Sequence, residues 1–155
     1  MTKTRNKLKI MGLVLTMVLL IASLGVFSLT ASAAGGDVAS VTVGGTTTSY
    51  DTFDAAITAA QSCTDSDKAV VKLLADIALG DTCLSISGGV FTIDLNGFEL
   101  SNTFTGADAL LSLVNSANVT IIDSGADGAI RTNSNAIRAR DTSIVTTIFW
   151  MRFDR

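Results

Sequence analysis

Between residues 69 and 125 the chain states one pattern three times: a short aliphatic run, a polar corner, and often a second short run. The three statements are Val70 to Leu79, Phe91 to Leu100 and Val119 to Gly125, with the shorter runs Leu84 to Ser87 and Leu110 to Val114 between them. Matching Leu74 to Leu95 and Leu95 to Ile122 gives spacings of 21 and 27 residues, inside the range that marks stacked structural repeats. A unit this short cannot bury its apolar side alone, so neighbouring units must stack and share one interior. The pattern predicts an all-β solenoid, a parallel β-helix whose polar corners Asp76, Asn96 and Asp123 lie over one another. A small α+β domain is the competing expectation, because Asn96-Gly97 is also a strong signal for an antiparallel hairpin.

Residues 34–68 read differently. Val38 to Val43 alternates weakly, Gly44-Gly45 supplies a hairpin turn, and Thr46 to Tyr50 returns as a second strand. A helix is predicted next, capped by Asp51 or Thr52, with Phe53, Ala56, Ile57 and Ala60 forming an apolar stripe at helical spacing. Such a helix, standing just before the repeats, suits a lid over the first open coil.

The chain begins with Lys3, Arg5, Lys7 and Lys9, continues through an apolar stretch from Ile10 to Leu29, and reaches Ala31-Ser32-Ala33 before any acidic residue. That order is the grammar of a secretory signal peptide over residues 1–33, cut between Ala33 and Ala34. The alternative is an uncleaved anchor, since about 20 apolar residues can span a bilayer as a helix. Either way the remainder is expected outside the membrane, secreted or on the cell surface, touching the membrane only through this segment. With the four leading basic residues removed, seven remain against all 14 acidic ones, a formal charge of about −7 on the exported part. That balance excludes nucleic acid as a partner.

Together the strings VTVGGTTTSYDTFDAAITAAQ, VKLLADIAL, LSIS, FTIDLNGFEL and NVTIIDSG resemble the N-terminal part of large surface proteins of Gram-positive, often gut-dwelling, bacteria. Those proteins are similar to the pectate-lyase-like group of right-handed parallel β-helices. The resemblance covers roughly residues 38–130 and implies a fold and a surface location rather than an activity.

The chemistry available is narrow. Histidine is absent, which removes Ser-His-Asp and Cys-His nucleophiles and the usual zinc sites. A column of Asp76, Asp94 and Asp123 could hold calcium or act as a glycosidase pair, but turn residues that satisfy backbone groups are the expected reading. Asp123 to Gly128 imitates the first half of a calcium loop and then fails, since Ser134 stands where a bidentate Glu is needed. Asn118-Val119-Thr120 is formally a glycosylation acceptor, and Asp65 and Asp67 read as loop decoration. No catalytic, cofactor or metal residue is therefore assigned. Cys63 and Cys83 lie 20 residues apart in a chain expected to be exported, so a disulfide and two separate thiols are both open.

Residues 69–136 are thus expected to form the first coils. Residues 137–155 break the texture, with Ile144 to Phe153 strongly apolar and five arginines in the last 25 positions. This suggests the truncated or frame-shifted end of a longer protein, or else a terminal strand closing the stack. The functional expectation is a non-enzymatic module for adhesion or contact with surface polysaccharide or host glycan. The alternative is the leading fragment of an extracellular polysaccharide lyase or glycosidase.

Overall fold

A computed structural model describes residues 36–63 and 69–147, all within one compact unit. The signal segment 1–33, its cleavage point at Ala33 and Ala34, the acids Asp65 and Asp67, and the last residues of the tail lie outside the described part.

The chain forms a hairpin of β1 (Ala39–Val43) and β2 (Thr46–Tyr50), a helix α1 (Phe53–Gln61), and then ten strands. β3 (Ala69–Leu73), β4 (Ile77–Ala78) and β5 (Leu84–Ser87) make a first coil. β6 (Val90–Asp94), β7 (Glu99–Ser101) and β8 (Ala109–Val114) make a second, and β9 (Asn118–Ile122), β10 (Ala129–Arg131) and β11 (Asn135–Ala139) a third. β12 (Ile144–Thr147) opens a further pass. Corresponding strands pair in parallel, giving three sheets: β12-β9-β6-β3, β10-β7-β4 and β11-β8-β5. This is a parallel β-helix. The hairpin adds β1 and β2 antiparallel to β3, so the first sheet has six strands.

The α+β alternative is overturned at its best signal. Asn96 and Gly97 do take the left-handed backbone that a tight hairpin turn demands, with φ of 50° and 82°, and the Phe98 amide donates to the Leu95 carbonyl at 2.8 Å. Yet the strands on either side, β6 and β7, belong to different sheets. The turn chemistry is that of a hairpin, but the residues after it are held by the coil below, so the turn becomes a corner.

The register also differs by one residue from the sequence matching. Lys72 pairs with Asp94, and Asp94 with Ile122, which makes the true repeats 22 and 28. The slip matters because adjacent strand residues face opposite sides. Leu73 and Leu95 are fully buried, whereas Leu74 is exposed. Unequal coils follow from unequal corners and strands: residues 79–83 join β4 to β5, whereas 102–108 join β7 to β8, and β8 is longer than β5.

Inside, side chains of successive coils stack. Val71, Ile93 and Ile121 form one column, Ile77, Leu100 and Ile130 a second, and Ile86 and Leu113 a third, all buried. Burying each such side chain stabilises by roughly 1.5–3 kcal/mol, which is why short strands suffice once stacked. The change of texture at residue 137 is no boundary in the fold, since β11 runs across it in register with β8.

Helix α1 buries Phe53, Ala56, Ile57 and Ala60 in the same core. It packs against β1, β3, β5 and β6, at the end of the stack where the first coil begins. Thr52 is its N-cap and accepts a hydrogen bond from the Ala55 amide at 3.3 Å. Replacing Thr52 with alanine is expected to cost about 1 kcal/mol, read as a lower midpoint in urea with an unchanged slope.

Candidate functional site

With no histidine in the chain, the carboxylates are the first acid-base groups to place. Asp94 ends β6 on the outward side of the first sheet, yet is only 4% exposed. Its Oδ1 accepts from the amides of Asn96 at 3.0 Å and Ser124 at 2.9 Å, and its Oδ2 accepts from the Ser124 hydroxyl at 2.6 Å. Lys72 Nζ lies 3.5 Å from Oδ2 and also donates to Ser124 Oγ. Burial opposes ionisation of Asp94. The Ser124 hydroxyl and amide, the Asn96 amide and the Lys72 charge outweigh it, and hold the carboxyl below its ordinary range.

Asp123 is committed in the same manner. Its Oδ1 accepts from the amides of Gly97 at 2.7 Å and Gly125 at 3.2 Å, and its Oδ2 from that of Gly128 at 2.9 Å. The half calcium loop is thus a coil corner whose acid is turned onto backbone amides. Asp76 Oδ1 accepts from the Glu99 amide at 2.8 Å. Asn96 completes the set by donating from Nδ2 to the Leu73 carbonyl at 3.0 Å. Most of these bonds join one coil to the next. The corner acids act as stitches between coils, and among the described residues no three His, Cys, Asp or Glu side chains gather to hold a metal.

The two cysteines are separate thiols here. Cys63 Sγ faces the Ala59 carbonyl at 3.5 Å, while Cys83 lies beside Asn102 Nδ2 at 4.0 Å. Burial pushes the Cys83 thiol up, and the charges of Asp108 and Asp81 push it further. Alkylation of the native chain near pH 8 should therefore modify Cys83 more slowly than a free cysteine. In denaturant without reductant both thiols should label, and a failure of both to label would mean a bridge.

Arg131 pairs with Glu99 at 2.5 Å. Arg138 and Arg140 converge on Asp108 at 3.5 and 3.4 Å, and Arg138 also donates to the Ala107 carbonyl. The arginines of β10, β11 and the residue after β11 are thereby tied to acids one coil earlier.

The outward side of the first sheet carries few charges and a run of threonines. The register places Thr47, Thr42, Val70, Thr92, Thr120 and Thr146 in a single row across all six strands of the first sheet. Alternation puts this row on the outward side, opposite the buried Phe91, Ile93, Val119 and Ile121. The Thr42 and Thr47 hydroxyls meet at 2.8 Å. A neighbouring row holds Val90, Asn118 and Ile144, of which Val90 is 52% and Ile144 54% exposed. Lys72 and Asp94 are the only charged side chains in these six strands. The signal was present in the tripeptides Val41-Thr42-Val43, Phe91-Thr92-Ile93 and Val119-Thr120-Ile121, each with its threonine between two residues of the core or packed against it, and in Val145-Thr146, where Val145 packs against the core. The sequon Asn118-Val119-Thr120 is part of this strand pattern.

In comparisons with known proteins, no protein-family model, no curated protein and no solved structure matches the chain.

Proposed function

We propose that this chain is a secreted or surface-displayed β-helix module of the pectate-lyase-like kind, non-enzymatic as it stands, and that it contacts surface polysaccharide or host glycan. The observation that carries the reading is the fate of the carboxylates. Asp94 and Asp123 each accept three hydrogen bonds from neighbouring backbone and side-chain donors. An acid held this way has its lone pairs spent on architecture, which is a poor state for proton transfer. What remains is a stack with flat outward faces, and a stacked coil offers a polymer repeated contacts at the strand spacing.

Export is supported by the basic, apolar and small-residue order of residues 1–33. N-terminal sequencing of the exported product tests it: a start at Ala34 agrees, and a start at Met1 means an anchor. Retention on immobilised polysaccharides tests the contact. Turnover of any polysaccharide by the purified chain, abolished by Asp94→Asn, would replace this reading with the enzymatic one.

A further inference from the structure

Resting on the reading that the module contacts polysaccharide, we infer that the outward face of the six-stranded sheet binds an uncharged, extended polysaccharide laid along the threonine row, across the strands. Three observations converge on this face.

The first is charge. The exported part carries about −7, yet the six strands of this sheet hold only Lys72 and Asp94, which pair with each other. The second sheet carries Glu99 and Arg131 and the third Arg138. An anionic polymer would meet overall repulsion and find no free cation on this face. A neutral chain meets neither obstacle.

The second is the character of the surface. The exposed large aliphatic side chains of the described residues are Leu74, Val90 and Ile144, and two of these three lie in the row beside the threonines. Exposed aliphatic groups gathered beside polar ones mark contact sites more often than scattered ones do. A sugar ring presents C–H groups on its faces and hydroxyls at its rim. Threonine offers a methyl and a hydroxyl at one position, while Val90 and Ile144 offer apolar area and Asn118 a donor and an acceptor.

The third is spacing. Neighbouring strands lie about 4.8 Å apart, so the row runs for roughly 24 Å. An extended glycan advances by about one strand spacing per sugar ring, so successive rings meet successive strands. The β-branched side chains of the row have restricted rotamers, which lowers the entropy lost on binding.

The test uses the full exported chain, affinity electrophoresis in gels containing soluble neutral β-glucan, and gels containing polygalacturonate as the charged comparison. The expected result is retardation by the neutral glucan that is insensitive to salt. Thr120→Lys should weaken it by about tenfold or more, which corresponds to about 1.4 kcal/mol. The double variant Thr92→Val with Thr120→Val keeps the shape of the row and should weaken it several-fold. Ser112→Lys, on the outward side of the third sheet, should leave it unchanged. Thermal melts matching the parent chain show that each variant is folded.

Retardation that survives Thr120→Lys but is lost in Ser112→Lys overturns this assignment and leaves the polysaccharide reading standing. Salt-sensitive retardation by polygalacturonate alone has the same consequence. A dimer in sedimentation that Thr120→Lys converts to monomer would show that a second copy covers the face, again overturning the assignment. Absence of retardation by any polysaccharide removes both.

Discussion

Asp94→Ala is expected to destabilise the chain by about 3 kcal/mol, because it removes the charged acceptor of the Asn96 and Ser124 amides and of the Ser124 hydroxyl, together with the counter-charge of Lys72. For a domain of this size that is a fall in melting temperature of about 10 °C. Asp94→Asn should cost roughly half as much, since an amide oxygen in the place of Oδ1 still accepts from both backbone amides and the Ser124 hydroxyl can rotate to receive a hydrogen bond from the new NH2. The two variants separate the loss of charge from the loss of shape. The parent chain should also show a dependence on acid that both variants lack. Asp94 is held below its ordinary range in the fold, whereas in the unfolded chain it titrates near about 3.9. The unfolded state therefore takes up the proton first. The stability this carboxylate contributes is fully present above the unfolded value and is lost as pH falls through the folded one. Urea midpoints measured from pH 7 down to pH 3 should converge for parent and Asp94→Asn at the acid end. Parallel curves would mean that folding leaves the titration of this carboxyl unshifted, and curves that diverge toward acid would mean that it is shifted upward.

Gly125→Ala should be comparably damaging by a different route. A Cβ built at Gly125 would lie 2.4 Å from the Asn96 carbonyl carbon and the Gly97 nitrogen. Those are backbone atoms of the coil below, so nothing flexible can yield. The two corners would have to separate, which would stretch the bonds from Asp123 to Gly97 and from Ser124 to Asp94. We expect a loss of about 3 kcal/mol or more, at the upper end of overpacking costs. Gly80→Ala is the contrast. It has a left-handed backbone, φ 62°, but nothing within 4 Å of the added carbon, so it should cost only about 1 kcal/mol of backbone strain. Equal melting temperatures for the two would contradict the close approach of the corners.

Much of the fold was legible because the same physics acts at both scales. The hairpin followed from Gly44-Gly45 between alternating runs, and α1 from the stripe Phe53, Ala56, Ile57 and Ala60, all of which are buried. The stack followed from short aliphatic runs that could not be buried singly. The register was not legible, because corners of unequal length absorb residues without disturbing the strands, so that Leu74 and Leu73 compete equally for the inside. Neither was the role of Asn96-Gly97: its local geometry is that of a hairpin, and only the long-range bonds from Asn96 to Leu73 and from Gly97 to Asp123 make it a corner. The threonine row was hidden for the same reason. Each Thr looks like an ordinary strand residue until a register sets it beside its counterparts. In the site, the absence of histidine narrowed the chemistry at once. That Asp94 and Asp123 are stitches rather than free acids depends on amides about 30 residues away, which no local pattern discloses.

The stacked coils are tested most directly by backbone nuclear Overhauser contacts in solution. Parallel pairing predicts contacts between Hα and amide protons linking Phe91 with the Val119 region and Val119 with the Val145 region, in the registers of β6, β9 and β12. No strong Hα–Hα contacts should join β6 to β7 across Asn96-Gly97. Strong Hα–Hα contacts between residues 92–94 and 99–101, with none from β6 to β9, would make that turn a hairpin and contradict the solenoid.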